Sequence, residues 1–338
     1  MTTSEPVQTI ADIARLAGVS KATVSRALND SPLIAADTKE RIRAIARQHR
    51  FQMNVPARRL STKRSHAIAF VTYPYLAHKA DSSVPDAFML ELQSGVANAL
   101  HALEYDLLVV HVDERDTEWA AHYLESGRAD GFILLTATCT QHHLNTLQEL
   151  RAPFILWGAP PGSGYCTVIG DNVTGGRLAT EHLLQRGRSR VAFLGGYENH
   201  EVDSRRRGYQ DALRGAGIEP DPALAVNTHW TEESGRTGME ELLARDSELD
   251  GVFACSDVLA IAAIDVLREQ GRSVPGDVGV VGYDDIAVAR FCNPPLTTIR
   301  QNGPLAGRLL AENLVQNLHT GLVTNVSIPA ELVVRESA

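Results

Sequence analysis

"TIADIARLAGVSKATVSRALND", Thr9 to Asp30, decides how this 338-residue chain begins to fold. Thr9 followed three residues later by Asp12 is a capping-box pattern, with Asp where Glu or Gln is usual. Ile10, Ile13, Ala14 and Ala17 then recur at i, i+3, i+4 and i+7, one face of an α-helix. Gly18 ends that helix, because glycine takes the left-handed conformation without steric cost. Ser20 caps a second helix in which Val24, Ala27 and Leu28 share an apolar side, while Lys21, Ala22, Ser25, Arg26 and Asn29 fall roughly opposite. A helix, a tight turn and a second helix with a short polar outer face make a helix-turn-helix. A third helix, from Asp37 to His49, brings Ile42, Ile45 and Ala46 to the same small core.

Such a second helix fits the DNA major groove, with its first residues against base edges. Arg26 can grip guanine with two hydrogen bonds, Ala22 can touch a thymine methyl, and Lys21 can reach a base or a phosphate. Charge agrees with this assignment. Residues 1–64 hold 12 Lys+Arg against 5 Asp+Glu, whereas the remaining 274 residues hold 20 against 36, for a chain total of −9. Only the N-terminal module is therefore expected to meet a polyanion.

Beyond the third helix, "NVPARRLSTKR" (Asn54–Arg64) offers a cap residue, a Pro in the first turn, and then Ala57, Arg58, Arg59 and Leu60. It has room for about two helical turns, too few to be stable alone in water. A lone Leu on a basic, conditionally folded helix suits a wedge between base steps in the minor groove. A solvated basic linker with an incidental Leu accounts for the same composition.

The helix-turn-helix stretch, with "ARRL" about thirty residues later, resembles the lactose-repressor (LacI/GalR) family of bacterial transcription regulators. The resemblance runs over essentially the whole chain. It implies a homodimer on a double-stranded, palindromic DNA operator, with paired hinge helices wedging Leu60 into the operator centre. The DNA contacts it implies are Thr9, Ser20, Lys21, Ala22, Thr23, Ser25, Arg26 and Asn29 in the headpiece, and Asn54, Ala57, Arg58 and Leu60 in the hinge.

After Ser65 short apolar runs alternate with amphipathic helices. Strands are expected at "HAIAFVTY", "YDLLVVHV", "DGFILLT", "PFILWG", "RVAFLGG", "DGVFACS" and "VGVVGYDD". Helices are expected over roughly 88–103, 117–126, 141–150, 172–186, 204–216, 232–244, 257–270 and 304–319. This α/β alternation argues for parallel sheets with both faces covered. The first four strands and the next three are expected to form two successive sheets. The expected organisation is a headpiece at 1–53, a hinge and linker at 54–65, and a core at 66–338. By resemblance, that core has the two lobes of a periplasmic binding protein joined by three crossovers. Lobe 1 would take about 66–169 and 299–326, and lobe 2 about 170–298 and 327–338. "TTIRQNGPLAGRLLAENLVQ" would then return the chain to lobe 1, and "SIPAELVVR" would close on lobe 2.

Open parallel sheets bind ligands beyond the carboxyl ends of their strands. There Phe88 and Met89 open a helix with Glu91 close by, and Arg205 precedes Gly208-Tyr209. Trp230 ends "NTHW", "CSD" supplies Asp257, and "GYDD" supplies Asp284 and Asp285. An aromatic plate, a fixed guanidinium and carboxylates suit stacking on a sugar ring and gripping its hydroxyls. The resemblance implies effector contacts from Phe88, Arg205, Trp230 and Asp284, with Asp171 close to the cleft. Asn199 and Glu201 stand where purine-binding relatives carry an Arg and a Thr, which argues against a nucleobase. The single-residue alternatives are packing for Phe88 and Trp230 and helix capping for Asp257.

A repressor of carbohydrate-utilisation genes, allosterically controlled by a mono- or oligosaccharide, is thus the expected function. A nucleobase- or nucleoside-responsive regulator and a sensor with no DNA role are the alternatives. No G-x-G-x-x-G, P-loop or G-x-S-x-G occurs, and no metal-ligand spacing, so neither enzyme, cofactor nor metal is expected. Cys139, Cys166, Cys255 and Cys292 lie far apart. "MTTSEPVQTI" has no signal-peptide pattern and no apolar run approaches the roughly 18 residues of a membrane span. Those features suggest reduced thiols in the cytoplasm. The ending "ELVVRESA" carries no Leu heptads, which favours a dimer over a coiled-coil tetramer.

Overall fold

The computed structural model describes residues 9–28, 31–49, 51, 64–72, 87–113, 116–137, 139–160, 162–196 and 200–338. Among them two compact units separate at Ser65 and His66.

The first unit contains α1 (Ile10–Ala17), α2 (Lys21–Leu28) and α3 (Ala36–Gln48). Its core is small: Ile13, Ala14, Ala17, Val24, Ala27, Ile42 and Ala46 are buried together. The capping box is complete, with the Thr9 hydroxyl accepting from the Asp12 N–H and the Asp12 carboxylate accepting from the Thr9 N–H. Gly18 at φ 65° makes the turn, and its left-handed backbone leaves only three residues between α1 and α2. The α2 cap is Ser20, whose Oγ accepts from the Thr23 N–H at 3.1 Å.

In the second unit the chain alternates strand and helix. Its first sheet begins with β1 (Ala67–Thr72), α4 (Ala87–Ala102), β2 (Asp106–His111), α5 (Trp119–Glu125), β3 (Gly131–Leu135), α6 (Gln141–Glu149), β4 (Phe154–Trp157) and β5 (Thr167–Gly170). The chain then crosses into α7 (Asn172–Gln185), β6 (Val191–Gly196), α8 (His200–Gly215), β7 (Ala225–Thr228), α9 (Glu232–Arg245), β8 (Gly251–Ala254), α10 (Asp257–Glu269), β9 (Gly279–Asp284) and β10 (Thr297–Arg300). It ends with α11 (Gly303–Thr320), β11 (Val326–Ile328) and β12 (Glu331–Val333).

Sheet 1 runs β11-β5-β4-β3-β1-β2 and sheet 2 runs β12-β10-β9-β8-β6-β7. Each described pairing is parallel except that of β10 with β12. Central strands such as β3 and β9 are buried along their whole length, which is why they read as unbroken apolar runs. The crossovers fall at Asp171, at Gln301–Asn302 and at Pro329–Ala330.

Several local expectations need correction. α8 starts at His200 rather than 204, with Glu201 and Asp203 favouring its positive end. "TTIR" belongs to sheet 2, so the chain leaves lobe 2 after Arg300 and not before residue 299. Its two threonines are fully buried, because Thr298 donates to Asp257 and Thr297 Oγ1 accepts from the Arg335 N–H. "SIPAELVVR" is divided: its first residues pair with β5 in sheet 1 and Glu331–Val333 pair with β10 in sheet 2. Pro329, which has no N–H to donate, stands between the two pieces. "TVIG" and "AVNT" form the further short strands β5 and β7.

Candidate functional site

In the helix-turn-helix unit, burying Val24 and Ala27 leaves Lys21, Ala22 and Arg26 exposed on α2, with Thr23 and Ser25 half-buried beside them. Thr9 and Ser20 are exposed, but their hydroxyls cap helices, so a phosphate would share them with backbone N–H groups. Asn29 and the hinge residues Asn54, Ala57, Arg58 and Leu60 lie outside the described residues, as does Asn199.

Beside the crossovers, a group of side chains is organised around Arg205, on the first half of α8 and only 2% exposed. Its Nε donates to Asn172 Oδ1 at 2.8 Å and its Nη1 donates to the Cys255 carbonyl at 2.5 Å. The guanidinium lies 3.7 Å over the Tyr283 ring and 5.8 Å from that of Trp230. Tyr283 is held in turn, its hydroxyl donating to the same Asn172 oxygen at 3.2 Å. Burial works against the charge on Arg205, but Tyr283, Asp284 and Glu201 outweigh it and raise its pKa above the ordinary value. A guanidinium fixed in this way is aimed before any ligand arrives.

Asp284 ends β9 with φ at 116°, a left-handed conformation that costs a non-glycine residue about 1–3 kcal/mol. That strained backbone is over-determined by its surroundings. Gln301 Nε2 donates to Asp284 Oδ1 at 2.5 Å, and Arg300 and Arg335 both bind the neighbouring Asp285 carboxylate. Asp284 thus stands by the Gln301 crossover and near Arg205, whereas Asp285 is committed to the frame of lobe 2.

From lobe 1, Phe88 packs its ring 5.6 Å from that of Trp157 at the end of β4. Met89 is partly buried against the same core. Glu201 reaches across from α8: a Cβ on Gly158 would stand 2.7 Å from its Oε2 and 2.6 Å from Thr136 Oγ1. Gly158, at φ 90°, is therefore required both by the backbone and by this approach. Glu91 also spans the lobes, accepting from the Ala287 N–H at 3.2 Å.

The sequence-derived cleft set divides accordingly. Arg205, Trp230, Glu201 and Asp284 come together, whereas Phe88 packs on Trp157 in the core of lobe 1. Asp171 caps α7 by accepting from the Thr174 N–H at 3.1 Å, at a crossover. Asp257 is corrected to a structural role. It is fully buried, with one oxygen accepting from Thr298 and the other from the Ile286 N–H, and burial pushes its carboxyl up to about 7. Sequence reading missed Asn172, Tyr283, Gln301 and Trp157. Each adjoins a motif it had singled out, but which neighbour faces inward depends on sheet register.

Residues 9–54 match the model of bacterial regulatory proteins of the lacI family, and residues 180–338 match that of periplasmic binding protein-like domains. The HTH-type transcriptional regulator CelR of Thermobifida fusca is 34% identical over 97% of this chain and 98% of its own. The chain belongs to the LacI family. The transcriptional repressor PurR of Haemophilus influenzae strain Rd is 29% identical over 97% and 98% of the two chains. Among solved structures, a CelR–cellobiose complex aligns at 31% identity over 98% of this chain and 100% of that one, with a TM-score of 0.74. The lac repressor dimer bound to operator and the anti-inducer ONPF aligns at 27% identity over 98% and 99%, with a TM-score of 0.79. This LacI-family chain is a DNA-binding transcription regulator and not an enzyme, as these homologues are. Among its described residues no helix is long and apolar enough to cross a membrane.

Proposed function

We propose that the chain is a cytoplasmic, sugar-responsive repressor that binds a palindromic operator as a homodimer. The headpiece, 1–53, reads the major groove through Lys21, Ala22, Ser25, Arg26 and Asn29, with Thr9, Ser20 and Thr23 on the backbone. The hinge, 54–65, brings Asn54, Ala57, Arg58 and Leu60 to the operator centre. The core, 66–338, takes a small saccharide between its lobes.

The observation that carries the effector reading is Arg205, buried and fixed by Asn172, Cys255 and Tyr283, with Trp230 and Asp284 beside it. A planar donor fork, carboxylates and aromatic faces match the alternating hydroxyls and apolar patches of a pyranose. CelR's complex with cellobiose, together with its similarity along the whole chain, supports cellobiose as the first sugar to try.

The test is calorimetric titration of the purified protein with cellobiose, single glucose, ribose and purine bases, followed by operator binding with and without any ligand that binds. Saturable sugar binding that changes operator affinity supports the reading. Binding by purines alone turns it towards the nucleobase alternative, and operator binding indifferent to a bound sugar removes the allosteric part.

A further inference from the structure

We propose that Glu91 is the latch that holds the effector cleft closed, a positioning residue that joins the helix carrying Phe88 to the segment following Asp284. The inference rests on the cleft reading above and adds a residue that controls closure rather than contacting ligand.

Both ends of the contact are fastened to rigid parts. Glu91 lies on α4, which is locked to α11 by backbone-close packing: Gly95 lies against Pro304, and Gly307 against Leu92. Gly303, the first residue of α11, comes so near that a Cβ there would be 3.1 Å from that of Glu91. Across the gap, Ala287 opens a short 3-10 turn, Ala287–Arg290. That turn is anchored by the Ile286 N–H on Asp257, and by Arg300 and Arg335 on Asp285. The contact thus joins two segments that are each held in their own lobe, and separating those segments breaks it.

The chemistry suits a contact that opens and closes. One charge-assisted hydrogen bond is strong enough to bias two states and weak enough to be broken. Glu91 is half-buried, and burial raises its pKa, opposed first by the Ala287 hydrogen bond itself. From lobe 2 it faces Asp285, which repels its charge, and Arg290, which attracts it.

The test is made on the ligand-free full-length protein, so that it does not depend on which effector is right. Amide exchange of Ala287 reports the hydrogen bond. Fluorine NMR of fluorotryptophan-labelled protein reports the cleft, because Trp157 and Trp230 line it while Trp119 packs on Phe132 inside lobe 1. Glu91→Ala is expected to speed Ala287 exchange at least tenfold and to shift or broaden the Trp157 and Trp230 signals but not that of Trp119. Glu91→Gln, which keeps an acceptor oxygen, should stay close to wild type in both readouts. Glu91→Asp, one methylene short of Ala287, should behave as Ala does and stands in for it if that variant does not fold. Unchanged Ala287 protection overturns the proposal. So does faster exchange without any change at Trp157 and Trp230, which would make Glu91 a local cap only. A wild type that binds no sugar would strike the functional reading and leave this result standing.

Discussion

At the scale of single residues, the cleft shows a division between side chains kept available and side chains locked into the frame. Arg205 is available because Asn172, Cys255 and Tyr283 fix its position while its charge still faces Asp284 and Glu201. Arg205→Ala should weaken effector binding by about 2 kcal/mol or more, on the order of thirtyfold, since it leaves desolvated carboxylates without their cation. Operator affinity without effector should stay at the wild-type value, and titration of both ligands against both proteins checks this. Asp257 is the opposite case. Desolvation raises its pKa from 3.8 to about 7, so the fold favours its protonated form. Its stabilising contribution is then complete below pH 3.8 and lost as pH rises through about 7. Asp257→Asn should remove that part of the pH dependence, seen as a flatter curve of denaturation midpoint against pH between 4 and 8.

Among secondary-structure elements, the tightest demands fall on helix pairs that share glycine contacts. A Cβ on Gly307 would collide with the Leu92 carbonyl and the Val96 amide, so Gly307→Ala must push α4 and α11 apart. Backbone cannot yield as a flexible side chain can. A destabilisation of about 1–3 kcal/mol is expected from such overpacking, read as a lower midpoint in thermal or urea denaturation. The headpiece unit, separate from the core, should keep its own melting behaviour in this variant.

For the molecule as a whole, the proposed switch is a coupling between two ligands, and coupling is reciprocal. Whatever factor a saturating effector takes from operator affinity, saturating operator must take from effector affinity. Titrations of each ligand at fixed levels of the other test this, and unequal factors would mean that the two do not act through one shared equilibrium. Raising salt should weaken operator binding steeply, because the net positive charge lies in residues 1–64, while sugar affinity in the acidic core changes little.

The sequence by itself determined the local elements. The capping box at Thr9, the turn at Gly18 and the 3.6-residue apolar period settle α1 and α2, since those forces act between residues three or four apart. Long apolar runs such as "GFILL" and "GVVGYD" mark parallel strands because both faces of such a sheet are covered. Tertiary structure alone decided the rest, wherever a residue's partner lies far away along the chain. Nothing local makes the threonines of "TTIR" a buried strand; Asp257 and Arg335 do that from 41 and 38 residues away. The pair Asp284 and Asp285 looks uniform in sequence, yet strained backbone and the arginines beyond it turn one towards the cleft and bind the other into the frame. Glu91 reads as a polar residue beside the expected ligand site, and only folding sets it 3.2 Å from an amide 196 positions away. Hydrophobic periodicity reports which face a residue turns inward, but only the packing of distant segments determines what it meets there.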